Sequence, residues 1–211
     1  MAALLLLVSL WLPLTEICGA AVLPSSGVNG QPPATALVFY AEPQVSDSLW
    51  PLLFQTLLED LATDAGELPE GVVLDKQPAI LRGSDDLRGI SFQHIVSVKL
   101  LGRCELVPQA QRSPASGPLG WVLRVSGKVQ PYIYIDCNRL TQVLQPAAAR
   151  MSKQRCQSAM TQAISRVLIH EWVHIATQSS KHSSRGLTQP NLSIDNLIGP
   201  ANRNPLSAST R

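Results

Sequence analysis

The sequence predicts a single α+β domain, because short apolar runs of strand length separated by turn-forming residues precede a long closing segment of helical periodicity. Composition agrees: 211 residues that are 45% hydrophobic and 15% charged supply one core of ordinary size rather than two. The formal net charge of +2, with no block of one sign, gives no case for nucleic acid as a partner. No internal repeat is present, and low-complexity character is confined to a short Pro/Ser/Gly stretch, which excludes a wholly disordered chain.

The chain opens with an apolar run from Ala2 to Leu12, then Pro13 and small residues at Cys18-Gly19-Ala20-Ala21, the pattern of a secretory signal peptide cleaved after Ala20. Its start holds no Lys or Arg, so the Met1 amine is the only positive charge there. The run falls short of the about 20 residues that span a bilayer, and no later stretch is long and apolar enough, so no stable membrane span is expected after signal removal. Acylation of Cys18 would need small residues where Glu16 and Ile17 stand. The expected location is secreted or periplasmic. There Cys104, Cys137 and Cys156 allow one disulfide and one spare thiol, in three alternative pairings. The absence of C-x-x-C leaves a cysteine-rich zinc site or thioredoxin-like centre without support.

Residues 1–20 are thus read as signal peptide, 21–35 as a flexible Pro/Gly/Ser lead-in, 36–200 as the folded domain and 201–211 as a tail. Residues 36–40 (ALVFY) form a strand candidate ahead of Pro43. Ser46 or Asp47 can cap a helix whose stripe is Leu49, Leu52, Leu53, Leu57, Leu58 and Leu61, with Pro51 tolerated in the first turn. Further strands are expected at 72–74, from Ile90 on to Val107, at 121–125 and at 132–135, the last two joined as a hairpin through Ser126-Gly127-Lys128. Helix follows: 138–144, a break near Pro146, then a long helix over about 152–177.

That helix carries V-L-I-H-E-W-V-H-I-A, which fits H-E-x-x-H at His170, Glu171 and His174. Residues i and i+4 share a helix face, so the two imidazoles can reach one Zn²⁺ about 2.0–2.1 Å from each nitrogen. Glu171 then lies beside the metal, placed to take a proton from a water whose pKa zinc lowers to about 7. Apolar Ile164, Val167, Leu168, Ile169, Val173, Ile175 and Ala176 suit a helix that is buried except where it faces a cleft. The competing reading is a buried helix with two satisfied histidines.

A third ligand must come from a short list. Glu171 is the last glutamate, leaving His182 and Asp195 as the donors downstream. Were the helix to continue, His182 would stand about 12 Å along the axis from His174, so the helix must end near residues 177–180 and the chain turn back. Residues 193–197 resemble the start of a short helix, where Asp195 suits the first turn, and His182 is the preferred ligand. His94, between Phe92 and Ile95, is expected to be structural.

Residues 170–174 resemble the motif of the zincin metallopeptidases. The stretch from His170 to Leu187, H-E-x-x-H, seven residues, then H-S-x-x-G, is similar to a group of small, largely uncharacterised secreted bacterial proteins. Tyr134-Ile135-Asp136-Cys137 followed by a helix also resembles that group, and the likeness covers about a third of the chain. It implies a zincin-like fold, a small twisted sheet packed on the active-site helix, with His170, His174 and His182 as Zn²⁺ ligands and Glu171 as general acid/base. The seven-residue spacing to the third histidine, and the lack of any methionine after Met160, depart from the metzincins. In zincins an edge strand lines the cleft and pairs with an extended peptide; here a strand between Ile90 and Ile135 is the candidate. Tyr132, Tyr134 and Arg185 are candidate oxyanion donors, with nothing to select among them.

The expected function is a secreted zinc-dependent hydrolase, a metallopeptidase acting on peptide or protein. The alternative is a non-catalytic module that binds zinc or a partner on the same fold.

Overall fold

A computed structural model describes residues 34–63, 68–85, 90–107, 117–184 and 186–199. The signal peptide, almost all of the lead-in, the C-terminal tail and Arg185 lie outside the described residues. Five strands, β1 (Thr35–Ala41), β2 (Ala79–Arg82), β3 (His94–Leu101), β4 (Gly120–Val125) and β5 (Lys128–Asp136), form one sheet in the order β2-β1-β3-β5-β4. The first four in that order run parallel; β4 at the edge is antiparallel to β5. The helices are α1 (Leu49–Thr63), α2 (Cys137–Ala148), α3 (Lys153–Thr177) and α4 (Ile194–Ile198). The chain is thus a mixed α/β domain.

Period-two alternation decides which strand residues meet the helices. Leu37 and Phe39 of β1, Val96, Val98 and Leu100 of β3, and Ile133 and Ile135 of β5 bury against Leu53 and Leu57 of α1, Leu140 and Leu144 of α2 and Ile164 and Leu168 of α3. On the opposite face Ala36, Val38, Ala79 and Leu81 make a smaller cluster with Phe92 against it. The main core therefore lies between one face of the sheet and the helices, with α3 beneath β5 and β4.

The hairpin forms as its turn residues dictate. Val125 pairs with Lys128, and Ser126 (φ 48°) and Gly127 (φ 78°) both take positive φ, as a two-residue type I′ turn requires. The register slips between Val122 and Arg124, opposite a stretch of β5 containing Pro131, which has no N–H to give to the ladder. Ser152 caps α3, its hydroxyl accepting from Arg155 N.

Several expected boundaries shift. Residues 72–74 are not a strand, although Leu74 is buried; the edge strand β2 begins instead at Ala79, after Pro78. β3 starts at His94 rather than Ile90 and stops at Leu101, before Gly102 with φ 76°. Pro146 does not end α2, which runs on to Ala148. Asp47 pairs with Arg82 (2.8 Å) rather than capping α1, and Ser46 Oγ accepts from Ser48 N. Cys104 and Cys137 are joined, leaving Cys156 as a buried thiol. No described helix is long and apolar enough to cross a membrane.

Candidate metal centre

The site grows from the last two turns of α3. His170, Glu171 and His174 are each about 6% exposed, on a helix whose other faces bury Leu168, Ile169, Trp172 and Val173. The helix ends where the third histidine requires. Gln178 takes the left-handed conformation (φ 52°), and its amide clasps β5 twice: Oε1 accepts from Val129 N and Nε2 donates to Val129 O, both at 3.1 Å. The reversal after Gln178 carries His182 back over the helix.

His170, His174 and His182 converge, with one ring nitrogen from each lying within 4.8 Å of the others. Their ring centroids are 4.8–5.2 Å apart. His170 and His174 are buried and His182 is exposed at the mouth. The loop beyond His182 is closed on itself, Ser183 N donating to Thr188 O (3.0 Å) while the two hydroxyls meet at 2.7 Å.

The hydrogen-bond chemistry suits a cation. His170 Nδ1 lies 2.6 Å from the Leu187 carbonyl and His174 Nδ1 lies 2.7 Å from the Ser179 carbonyl. A carbonyl only accepts, so both Nδ1 atoms carry the proton and both Nε2 atoms present lone pairs. Those two Nε2 atoms face each other at 3.2 Å. Two nitrogens on a tetrahedral zinc stand about 3.4 Å apart, so a divalent cation fits the gap and removes the lone-pair repulsion. The set therefore fits Zn²⁺, although three imidazoles by themselves do not select it over other divalent ions. Burial, above all, lowers the pKa of His170 to about 4 and lowers that of His174, keeping the rings neutral as ligands must be.

Glu171 is not among the converging donors. It lies on the wall of the same cleft, and burial pushes its pKa up to about 7, within reach of proton exchange at neutral pH. The cleft, of about 460 Å³, runs between α3 and β4 and is closed by the chain after His182. Gly120 makes the close approach possible. A Cβ there would stand 2.5 Å from Val167 Cγ1, 3.0 Å from Tyr134 O and 3.3 Å from Glu171 Cγ. Gly120 opens β4, one residue before the strand expected from the sequence, and its lack of a side chain permits the approach. The carbonyls of Ser179 and Leu187 and the clasp of Gln178 carried no cue in the sequence.

The remaining candidates lie elsewhere. Asp195 sits in the first turn of α4, outside the histidine cluster. His94 is exposed at the start of β3, also outside it. Tyr134 stacks on Trp121 (5.4 Å between centroids, 6° between planes), and neither it nor the half-exposed Tyr132 lines the cleft. Both belong to the set of β5 side chains that alternates with Ile133 and Ile135. Among the strands between Ile90 and Ile135, β4 is the edge strand on the cleft.

Comparison of the chain with protein-family models, with curated proteins and with solved structures found no significant match.

Proposed function

We propose that this chain is a secreted zinc-dependent hydrolase of zincin-like architecture, a metallopeptidase. The observation that carries the reading is the convergence of His170, His174 and His182 in one cleft with a buried carboxyl, Glu171. Zn²⁺ held there supplies a Lewis acid to the scissile carbonyl and makes water a nucleophile at neutral pH.

The chain's own groups do the rest. The Leu187 and Ser179 carbonyls orient two of the rings. Glu171, on the wall of the same cleft, takes a proton from the attacking water and delivers it to the leaving amine. β4, with no strand beyond it among the described residues, offers main-chain groups along the cleft where an extended peptide can add to the sheet. Export by residues 1–20 is supported by the Cys104–Cys137 disulfide, a bond that persists in oxidising compartments.

The test measures metal content and cleavage of an unstructured protein by wild type and by Glu171→Gln. Stoichiometric zinc in both with turnover only in the wild type is expected. Zinc without turnover in either would make the chain a binding module instead.

A further inference from the structure

The charge on the cleft walls is one-sided. Besides the histidines, its ionisable side chains among the described residues are Arg124, Arg139 and Glu171, so two guanidiniums face one carboxyl before any divalent cation is added. The two arginines occupy different places. Arg139 follows Asp136, the cap of α2, and its Nε already donates to Gly117 O (3.3 Å). Arg124 stands four residues beyond Gly120 on β4, about 13 Å along the strand at 3.3 Å per residue.

Local structure aims Arg124 at the cleft. It pairs with Val129, whose side chain is buried and whose backbone is the one clasped by Gln178. Arg124 is exposed, but it shares the strand face of Gly120 and Val122 and lines the cleft. Its charge is felt by His174. Among the described residues the Arg124 side chain has no hydrogen bond and no carboxylate within ion-pair distance, whereas Arg82 is paired with Asp47. A cation beside a binding cleft, unneutralised by its own chain, selects for anionic ligands.

We propose that Arg124 is a specificity residue, pairing with a carboxylate of an extended peptide at the end of the cleft next to His174. The inference rests on the peptidase reading for its substrate class. The carboxylate can be an Asp or Glu side chain or a free C-terminus, since Arg presents the same two-pronged donor to each.

The experiment uses the zinc-loaded full chain and three matched peptide sets: internal Asp or Glu with an amidated C-terminus, the Asn or Gln counterparts, and neutral peptides with a free C-terminus. Two quantities are read, the kcat/KM ratio of carboxylate to neutral peptide and, separately, the Kd for each peptide on Glu171→Gln protein by calorimetry. A preference of about tenfold or more for one carboxylate source is expected, shrinking as salt rises, because the Debye length shortens to about 3 Å at 1 M. Whichever source is preferred identifies the carboxylate. Arg124→Gln should bring both ratios close to one with zinc content unchanged, Arg124→Lys should retain part of the preference, and Arg124→Glu should favour lysine-bearing peptides. No preference in the wild type overturns the inference, as does one that survives Arg124→Gln and vanishes in Arg139→Gln. Should no peptide be cleaved, the hydrolase reading fails while the calorimetric arm still decides the role of Arg124.

Discussion

Replacing Glu171 by glutamine gives a stability measurement that needs no substrate. In the metal-free protein, burial raises the Glu171 pKa from an ordinary 4.5 to about 7. Such a rise corresponds to roughly 3 kcal/mol of preference for the protonated form within the fold. The sign follows from proton counting. Below about pH 4.5 folded and unfolded chains both hold the proton, and the fold incurs no cost. Between about 4.5 and 7 the unfolded chain loses its proton while the folded chain keeps it, so stability falls as pH rises; above about 7 the full amount is lost. Glutamine does not titrate, so the variant should gain roughly 3 kcal/mol on the wild type between about pH 4 and pH 8. The opposing slope from His170 and His174, whose lowered pKa values make stability rise with pH, is present in both proteins, and Glu171 is not among the groups that shift either ring. Urea unfolding followed by tryptophan fluorescence, with chelator present, measures the difference. A difference that stays flat with pH, or runs the other way, would refute a buried carboxyl at this position.

Three further perturbations probe the frame around the site. His182→Ala should lower zinc affinity at least about 100-fold, against little change for Asp195→Ala, since losing even an orienting neighbour of a ligand costs about 10–100-fold; competition with a chromogenic chelator measures both, and the reverse order would reassign the third ligand. Gly120→Ala should destabilise by about 1–3 kcal/mol, because the new methyl meets Val167 and the Tyr134 carbonyl, and thermal unfolding at matched zinc occupancy reads the loss. The pair Cys104→Ser with Cys137→Ser should cost about 4 kcal/mol, the loop-closure value for a separation of 33 residues, and denaturant midpoints of oxidised protein and variant test it.

Local signals placed the site more readily than they placed the sheet around it. H-E-x-x-H on one helix face is a matter of 3.6-residue periodicity, and the need for the chain to turn before His182 followed from helical rise alone; both are met by α3 and Gln178. The Ser126-Gly127 turn was equally local. β2 was not. Four residues after Pro78 show no alternation, and their strand character comes from pairing with β1 more than forty residues away. The parallel order β2-β1-β3-β5 is likewise set by contacts that no window of sequence contains. Residues 72–74 misled because an apolar triplet can bury one leucine from a loop. Pro146 misled because its penalty falls near the end of α2, where few hydrogen bonds remain to lose. The disulfide partner of Cys137 needed the end of β3 and the start of α2 to be brought together in space.

The double clasp between Gln178 and Val129 has a mechanical corollary. It fastens the tail of the metal-bearing helix to the turn end of the hairpin, beside Arg124, so these parts are tied together by two hydrogen bonds. Helix end, hairpin and the chain leading to His182 thus meet at one side chain, that of Gln178.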